Sequence, residues 1–429
     1  MIQVNILLVG FVSVFLFQTC FQFCLERLNI RYLLQQGNHV PPAFIGVVDG
    51  AKLAEINAYT ASRSRMHTVR SLVADGVLLL LILSGSMPAL ASFLNKSVPH
   101  LVAGLLFFLV PGVILYLVDL PFDYYETFII EQEFGFNRAT RKIWTTDHLK
   151  SGSISVGISS TLLLLIFWTI AVSPVYWWLW TFLLVSLVQI TLAILYPIMI
   201  APVFNKFIPL ENESLADKIM HLMEENDIRV KRILQMDAGL RSRHTNAYFT
   251  GLGKTKQIVL FDTLLQSHPS EEILAVLAHE AGHYKKSHIL KQLLLFEIAF
   301  LVGFILTYHL MNWPLLYSTF GFESSNPYIG LFFIAIFWQK SGFFFRPLYL
   351  TLSRRFERQA DSFAAKMMKD PQPLAAAFKR MATDNLANLN PHPLYVKFHY
   401  SHPPLAERVK NMENNNFGDG SSLPLREAK

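Results

Sequence analysis

The sequence predicts a mainly α, polytopic membrane protein of seven transmembrane helices, with a cytosolic segment that holds a small β-sheet. Composition is the first of three observations behind that reading. Of 429 residues, 52% are hydrophobic and only 16% charged, whereas a soluble globular chain carries roughly 25% charged residues. Such a chain is short of material for a water-facing surface, which excludes a disordered or purely soluble protein. Run length is the second: seven apolar stretches approach the about 20 residues that a helix needs to cross a bilayer. The third is the placement of the basic residues in the loops between those stretches.

The stretches lie at 6–25, 76–94, 101–120, 154–173, 177–201, 289–311 and 329–350. The first has no basic region before it and no small-residue cleavage site after it, so it reads as a retained anchor rather than a signal peptide. The link from Ser173 to Tyr176, with Pro174 and then Trp177, Trp178 and Trp180, reads as a tight turn at a membrane interface. One set of loops carries Arg27, Arg31, Lys52, Arg63, Arg65, Arg70, Arg138, Arg141, Lys142 and Lys150, and the other little beyond Lys96. Basic loops stay on the cytosolic side, so the segments 202–288 and 353 onward face the cytosol together and the N-terminus faces away. The net charge of +6 is therefore a topology signal, not a nucleic-acid footprint. The two cysteines, Cys20 and Cys24, both sit in the first run and support neither a disulfide framework nor a cysteine zinc site. Residues 413–429 read as a disordered tail, with no C-terminal Cys box to be prenylated.

Chemistry concentrates in the polar segment before the sixth run. A short amphipathic stretch presents Leu215, Ile219, Leu222 and Met223 on one face, and short strands are expected at 233–236, 247–252 and 257–261. A helix start follows at Pro269, with Ser270 expected as N-cap and Glu271 and Glu272 in the first turn. That helix leads into His279-Glu280-Ala281-Gly282-His283. Residues four apart share a helix face, so His279 and His283 can bind one Zn²⁺, with Glu280 beside them to take a proton from the metal's water. The pentapeptide alone is only moderately specific. Catalytic zinc takes three protein ligands and keeps an open position. Glu357 fits as the third, with Asp361 fixing a histidine tautomer; a charged helix face paired with Arg354 and Arg358 is the competing reading. His402 could hold an oxyanion or be a surface residue, and Arg408 could pair with a substrate carboxylate or a structural acid. Asn246 could bind a peptide backbone or the oxyanion, or be a turn residue. His288 is left out, because nine residues after His279 it would lie on a different face. Glu297 and Lys340, inside the sixth and seventh runs, are expected to pair or to line a wet interior.

Several ordered segments resemble the type I CAAX prenyl proteases, integral-membrane zinc metalloendopeptidases. They are Val276–Lys285 around the histidine pair, His244-Thr-Asn-Ala-Tyr-Phe-Thr-Gly-Leu-Gly-Lys, Phe356-Glu-Arg-Gln-Ala-Asp and His399-Tyr-Ser-His-Pro-Pro-Leu. Asp119-Leu-Pro-Phe-Asp, Glu133-Phe-Gly-Phe-Asn-Arg and Ala201-Pro-Val-Phe-Asn-Lys-Phe match as well. The resemblance implies seven helices enclosing a water-filled chamber, with one Zn²⁺ per chain at its cytosolic end. It implies His279, His283 and Glu357 as ligands, Glu280 as base, and Asn246, His402 and Arg408 as transition-state or substrate contacts. The close spacing of the last two spans and the Asn388–His402 stretch are similar to prokaryotic members, which implies a bacterial inner membrane; a eukaryotic member would imply the endoplasmic reticulum.

The domains expected are 1–200 (five transmembrane helices and loops), 201–288 (metalloprotease segment), 289–350 (two more transmembrane helices), 351–412 (cytosolic helices completing the site) and 413–429 (tail). The expected partners are a peptide or protein substrate, isoprenylated or not, and the lipid bilayer, with no nucleic acid. A broad-specificity quality-control protease and a transporter or channel with a structural zinc are the alternatives.

Overall fold

A computed structural model describes residues 2–36, 39–251 and 256–415. The expected strand residue Leu252 and the tail from 416 onward lie outside the described residues.

Among the described residues, seven helices are long and apolar enough to cross a membrane: Ile6–Gln35, Gly50–Leu83, His100–Glu133, Arg141–Val172, Trp177–Phe204, His288–Met311 and Pro327–Met368. The number agrees with the sequence, but the second span is differently drawn. The run 76–94 is not one helix. Span two starts at Gly50, where the Asp49 side chain accepts from the Lys52 amide, and ends at Leu83. Gly85 then takes the left-handed φ of +80° that glycine adopts without a Cβ penalty, and Ser86–Ser97 forms a separate short helix. The early half of span two is polar and is held by charge: Arg70 binds Asp119 of span three through Nε at 2.5 Å, and Arg63 reaches Glu126 at 3.1 Å. The link between spans four and five is short, from Ser173 to Tyr176, as expected.

Lys340 and Glu297 do not pair with each other. Lys340 donates to Asp75 at 2.6 Å and to Gln18 at 3.0 Å, tying span seven to spans two and one. Glu297 instead accepts from the Ser186 hydroxyl of span five. Asp75 is thus the partner of the buried Lys340 in a largely enclosed ion pair.

Packing is uneven across the bundle. Aromatic residues of spans one, three and seven interlock with Phe320 of the connection before span seven, around Phe11, Phe107 and Phe333. By contrast, no position in the most apolar stretch of span five or span six is buried.

Among the described residues, the segment after span five builds a four-stranded mixed sheet in the order β1-β2-β4-β3, with β1 at Phe207–Pro209, β2 at Arg232–Met236, β3 at Ala247–Thr250 and β4 at Gln257–Phe261. β1 was not expected from sequence. β2 and β4 are parallel, and β3 runs antiparallel to β4 with Ala247 opposite Leu260. β3 is therefore an edge. Its apolar neighbours join the helix Glu213–Glu224, which buries Leu215, Ile219 and Met223. This core continues through Leu277, Ala278 and Ala281 of the helix Ser270–Lys285 to Ala364, Phe378 and Val409. Pro269 takes the cap position and Ser270, expected there, is the first helical residue.

The last span does not stop at the membrane side. A short tight turn over Phe343–Phe345 leads straight into the helix Arg346–Met368, so the expected boundary at 350 falls inside continuous helix.

Candidate active site

Two helices make the site. Ser270–Lys285 presents His279 and His283 from successive turns, and Arg346–Met368 crosses it carrying Glu357 and Asp361. The crossing is close because Gly282 has no side chain. A Cβ there would stand 2.9 Å from the Ala360 Cα and 3.1 Å from its carbonyl oxygen. Two small residues thus let one backbone approach the other, and the acid one turn from Ala360 reaches the histidines.

His279 Nε2 and His283 Nε2 face each other at 3.2 Å. Glu357 places Oε2 at 3.3 Å from the first and Oε1 at 3.3 Å from the second. One ligand atom from each of the three lies within 4.8 Å of the others. Glu357 Oε2 is buried and has no hydrogen-bond partner. Two imidazole nitrogens aimed at each other beside an unsatisfied carboxylate oxygen are poorly satisfied by protons alone. A cation with nitrogen and oxygen ligands meets all three, so the donor set fits a zinc ion.

A second layer orients this set. Asp361 Oδ1 lies 2.8 Å from His279 Nδ1, which commits Nε2 to the cation side. Asp361 is itself gripped by Arg408, whose Nε donates to Oδ2 at 2.9 Å and whose guanidinium sits 3.9 Å over the Phe378 ring. Burial works to lower the His279 pKa, but Asp361 and Glu357 outweigh it and hold it at about 9. Burial pushes the Glu280 carboxyl up, with Glu357 adding to the rise and the two histidines opposing it.

The remaining expected residues are placed as follows. His402 Nε2 stands 3.3 Å from Glu357 Oε1, with 59% of its side chain exposed. Arg408 is buried and engaged by the structural acid Asp361. Asn246 is exposed just before β3, and its Oδ1 accepts from the Ala247 amide at 2.8 Å. Among the described residues no hydrogen bond links Asn246 to the histidine pair.

Comparison with known proteins places these features together. The family model described as "CAAX prenyl protease N-terminal, five membrane helices" matches residues 29–206, and that for peptidase family M48 matches residues 209–416. CAAX prenyl protease 1 homolog of Arabidopsis thaliana is 34% identical over 87% of this chain and 90% of its own length. CAAX prenyl protease 1 of Saccharomyces cerevisiae is 37% identical over 69% of each chain. The crystal structure of S. mikatae Ste24p superposes with a TM-score of 0.88 at 30% identity, covering 94% of this chain and 98% of that one. The chain belongs to peptidase family M48. It is a multi-pass membrane metallopeptidase of the CAAX prenyl protease type, which sets the transporter reading aside. These relatives are eukaryotic, and the expectation of a prokaryotic member rests on the spacing of spans six and seven and on the Asn388–His402 stretch.

Family membership gives the motifs around the site a physical meaning. Glu133-Phe-Gly-Phe-Asn-Arg after span three forms a backbone bridge, Asn137 opposite Ser242, with the approach to β3. His244 stacks on Phe136 at 4.3 Å and donates from Nδ1 to Asn385 Oδ1 at 3.0 Å. The segment holding Asn246 is thereby fixed to the membrane part. Asp123, which ends the Asp119-Leu-Pro-Phe-Asp motif of span three, accepts from Trp144 and pairs with His148 of span four.

Sequence reasoning missed two members of the site. Gly282 was given no role of its own inside the motif. His288 was left out on a straight-helix argument, but the chain breaks at Ser287, whose φ is +54°, and the turn returns His288 to His283. The polar run Lys285-Lys286-Ser287 was the available signal for that break.

Proposed function

We propose that this chain is a zinc metalloendopeptidase that cleaves peptide bonds near the C-terminus of CAAX-type proteins, at a site facing the cytosol. The observation that carries the reading is the meeting of His279, His283 and Glu357 around one point, with Glu280 in the same helix turn. When bound, zinc supplies Lewis acidity, which polarises a carbonyl and lowers the pKa of water toward ~7.

The chain's own residues do the rest. Glu280, with its carboxyl pKa raised, takes a proton from the attacking water and delivers it to the amine as the C–N bond breaks. His402, exposed beside Glu357, donates to the oxygen that gains charge as the carbonyl is attacked. Arg408 and Asp361 hold His279 in one tautomer rather than touching substrate. An extended peptide adds to the free edge of β3, with Asn246 at its end, reading backbone more than side chains. The unburied middle of spans five and six supports a chamber between the helices, where these spans meet lipid on one side and an internal space on the other.

A metal-dependent digestion of a farnesylated C-terminal peptide by the purified protein tests this. Glu280→Gln is expected to keep zinc and to lose roughly 10²–10⁴-fold in turnover. Cleavage that survives a chelator or this substitution would remove the mechanism. Equal cleavage of the unfarnesylated peptide would favour a broad-specificity protease, a reading that the backbone-only β3 edge also supports.

A further inference from the structure

We infer that His288, the first residue of span six, is a positioning residue that sets the tautomer of His283 through a neutral imidazole relay ending on Gln359. His288 Nδ1 lies 3.1 Å from His283 Nδ1, and His288 Nε2 lies 2.9 Å from Gln359 Oε1. The inference rests on His283 being a metal ligand.

Donor and acceptor roles along this chain of atoms follow from one constraint. A ring nitrogen that binds a cation offers a lone pair, so His283 bound through Nε2 carries its proton on Nδ1. That N–H can only donate, and the nitrogen it meets must accept. His288 Nδ1 is therefore bare, and the proton of its neutral ring sits on Nε2, facing Gln359 Oε1. An amide oxygen is an acceptor only, so the far end agrees with the near end. One proton assignment satisfies all three groups. The flipped Gln359 would put an amide N–H against an imidazole N–H and break the chain.

Packing holds His288 to this task. It is buried, and its ring stacks on Phe356 at 4.3 Å with an 8° interplanar angle. Phe356 precedes Glu357 and Gln359 lies two residues after it, so one side chain touches a ligand on the first helix and a residue on either side of the ligand on the second. The helix break at Ser287 is what allows this, and it also makes the start of span six part of the site. The two histidines of the motif are thus oriented by different chemistry. His279 leans on a carboxylate, Asp361, and His283 on a neutral ring.

Removing a residue that orients a metal-bound histidine typically lowers metal affinity 10–100-fold. The test uses the full-length protein in detergent, with zinc affinity measured by chelator competition and Co²⁺ substitution read in the visible spectrum. His288→Ala is expected to weaken zinc by about 10–100-fold and to alter the Co²⁺ bands. His288→Asn, whose amide oxygen can stand where Nδ1 stood, is expected to recover most of the loss, whereas His288→Leu is not. A purely packing role predicts the opposite order, with Leu better than Asn. Selectively ¹⁵N-labelled zinc-loaded protein gives a reading without substitution: His288 should be protonated at Nε2 and bare at Nδ1. A proton found on His288 Nδ1, or unchanged zinc affinity in His288→Ala, overturns the inference while leaving the metallopeptidase reading intact. Failure of the unsubstituted protein to hold zinc overturns both.

Discussion

The crossing of the Ser270–Lys285 and Arg346–Met368 helices and the middle of spans five and six are both helix-against-helix regions, yet they are packed in opposite ways. At the crossing, a methyl on Gly282 would stand 2.9 Å from a backbone carbon. In span six, Gly303 has nothing within 4 Å of where its Cβ would be. The first region must bring three ligand atoms to one point, and interdigitated backbones hold such a point to a fraction of an ångström. The second has no such point to hold, and its side chains stay uncovered by protein. Rigidity is placed where a metal needs it, and room is left along the proposed path of a substrate.

The largest expected effect comes from breaking the tight region outright. Glu357→Ala removes the carboxylate that, among the described residues, reaches both histidines, and zinc measured by elemental analysis should fall from stoichiometric to background. Retention of a full complement of zinc would take Glu357 out of the ligand set.

Charge gives the next contrast. Lys340 and Asp75 form a buried pair among spans one, two and seven, and removing one member of such a pair typically costs about 3–5 kcal/mol because the other is left uncompensated. Lys340→Met should therefore lower thermal stability strongly, and Lys340→Met with Asp75→Asn should regain much of it. Glu297, by contrast, meets only a serine, has one buried oxygen with no partner, and has no cation paired with it among the described residues. Glu297→Gln should be near neutral. Equal losses from the two single changes would contradict this account of the bundle.

The glycines allow the same substitution to be made in both regions. Gly282→Ala overpacks the crossing and should cost about 1–3 kcal/mol, with weaker zinc binding as Glu357 moves away from the histidines. Gly303→Ala only restricts the unfolded chain and should be neutral or stabilising by about 0.4–1 kcal/mol. Melting curves of the two proteins should move in opposite directions; a shared direction would mean that the crossing has more slack than its geometry indicates.

What the sequence made legible divides along the same line. Span number and the His279–His283 pair depend on run length and a four-residue spacing, both local quantities, and both were readable. Glu357 was readable as an acid at the right side of the membrane, though not as certain to reach the histidines. Partners far apart in the chain were not. Nothing near Lys340 announces Asp75, which lies 265 residues away, and the pairing of Lys340 with Glu297, one of two alternatives, rested on the cost of a charge at membrane depth, which names no partner. The second span was misplaced because hydrophobicity runs through Ser84 and Gly85, while its polar half is stabilised by Asp119 and Glu126, which hydropathy does not register. Gly282 and His288 were passed over because their roles exist only once two helices cross and a turn reverses the chain.

A smaller effect probes how the tight region is anchored at its other end. His268, just before the Ser270–Lys285 helix, is buried. Burial pushes its pKa below the usual 6.5, with Arg380 acting in the same direction and Glu272 and Asp384 against it. The folded protein therefore keeps this ring neutral under conditions where an unfolded chain would protonate it. Above about 6.5 neither state takes the proton, and His268 contributes no pH dependence. As pH falls below that value, the unfolded state binds a proton that the folded state resists, so stability declines with acidity. His268→Gln removes the titrating group and should flatten this part of the stability profile, leaving the profile above about pH 6.5 unchanged in slope. The same substitution should leave the Gly303→Ala shift untouched, since the two sites lie in the two regions being compared and distant sites add. A profile that keeps its full acid slope in His268→Gln would assign the acid sensitivity to other groups.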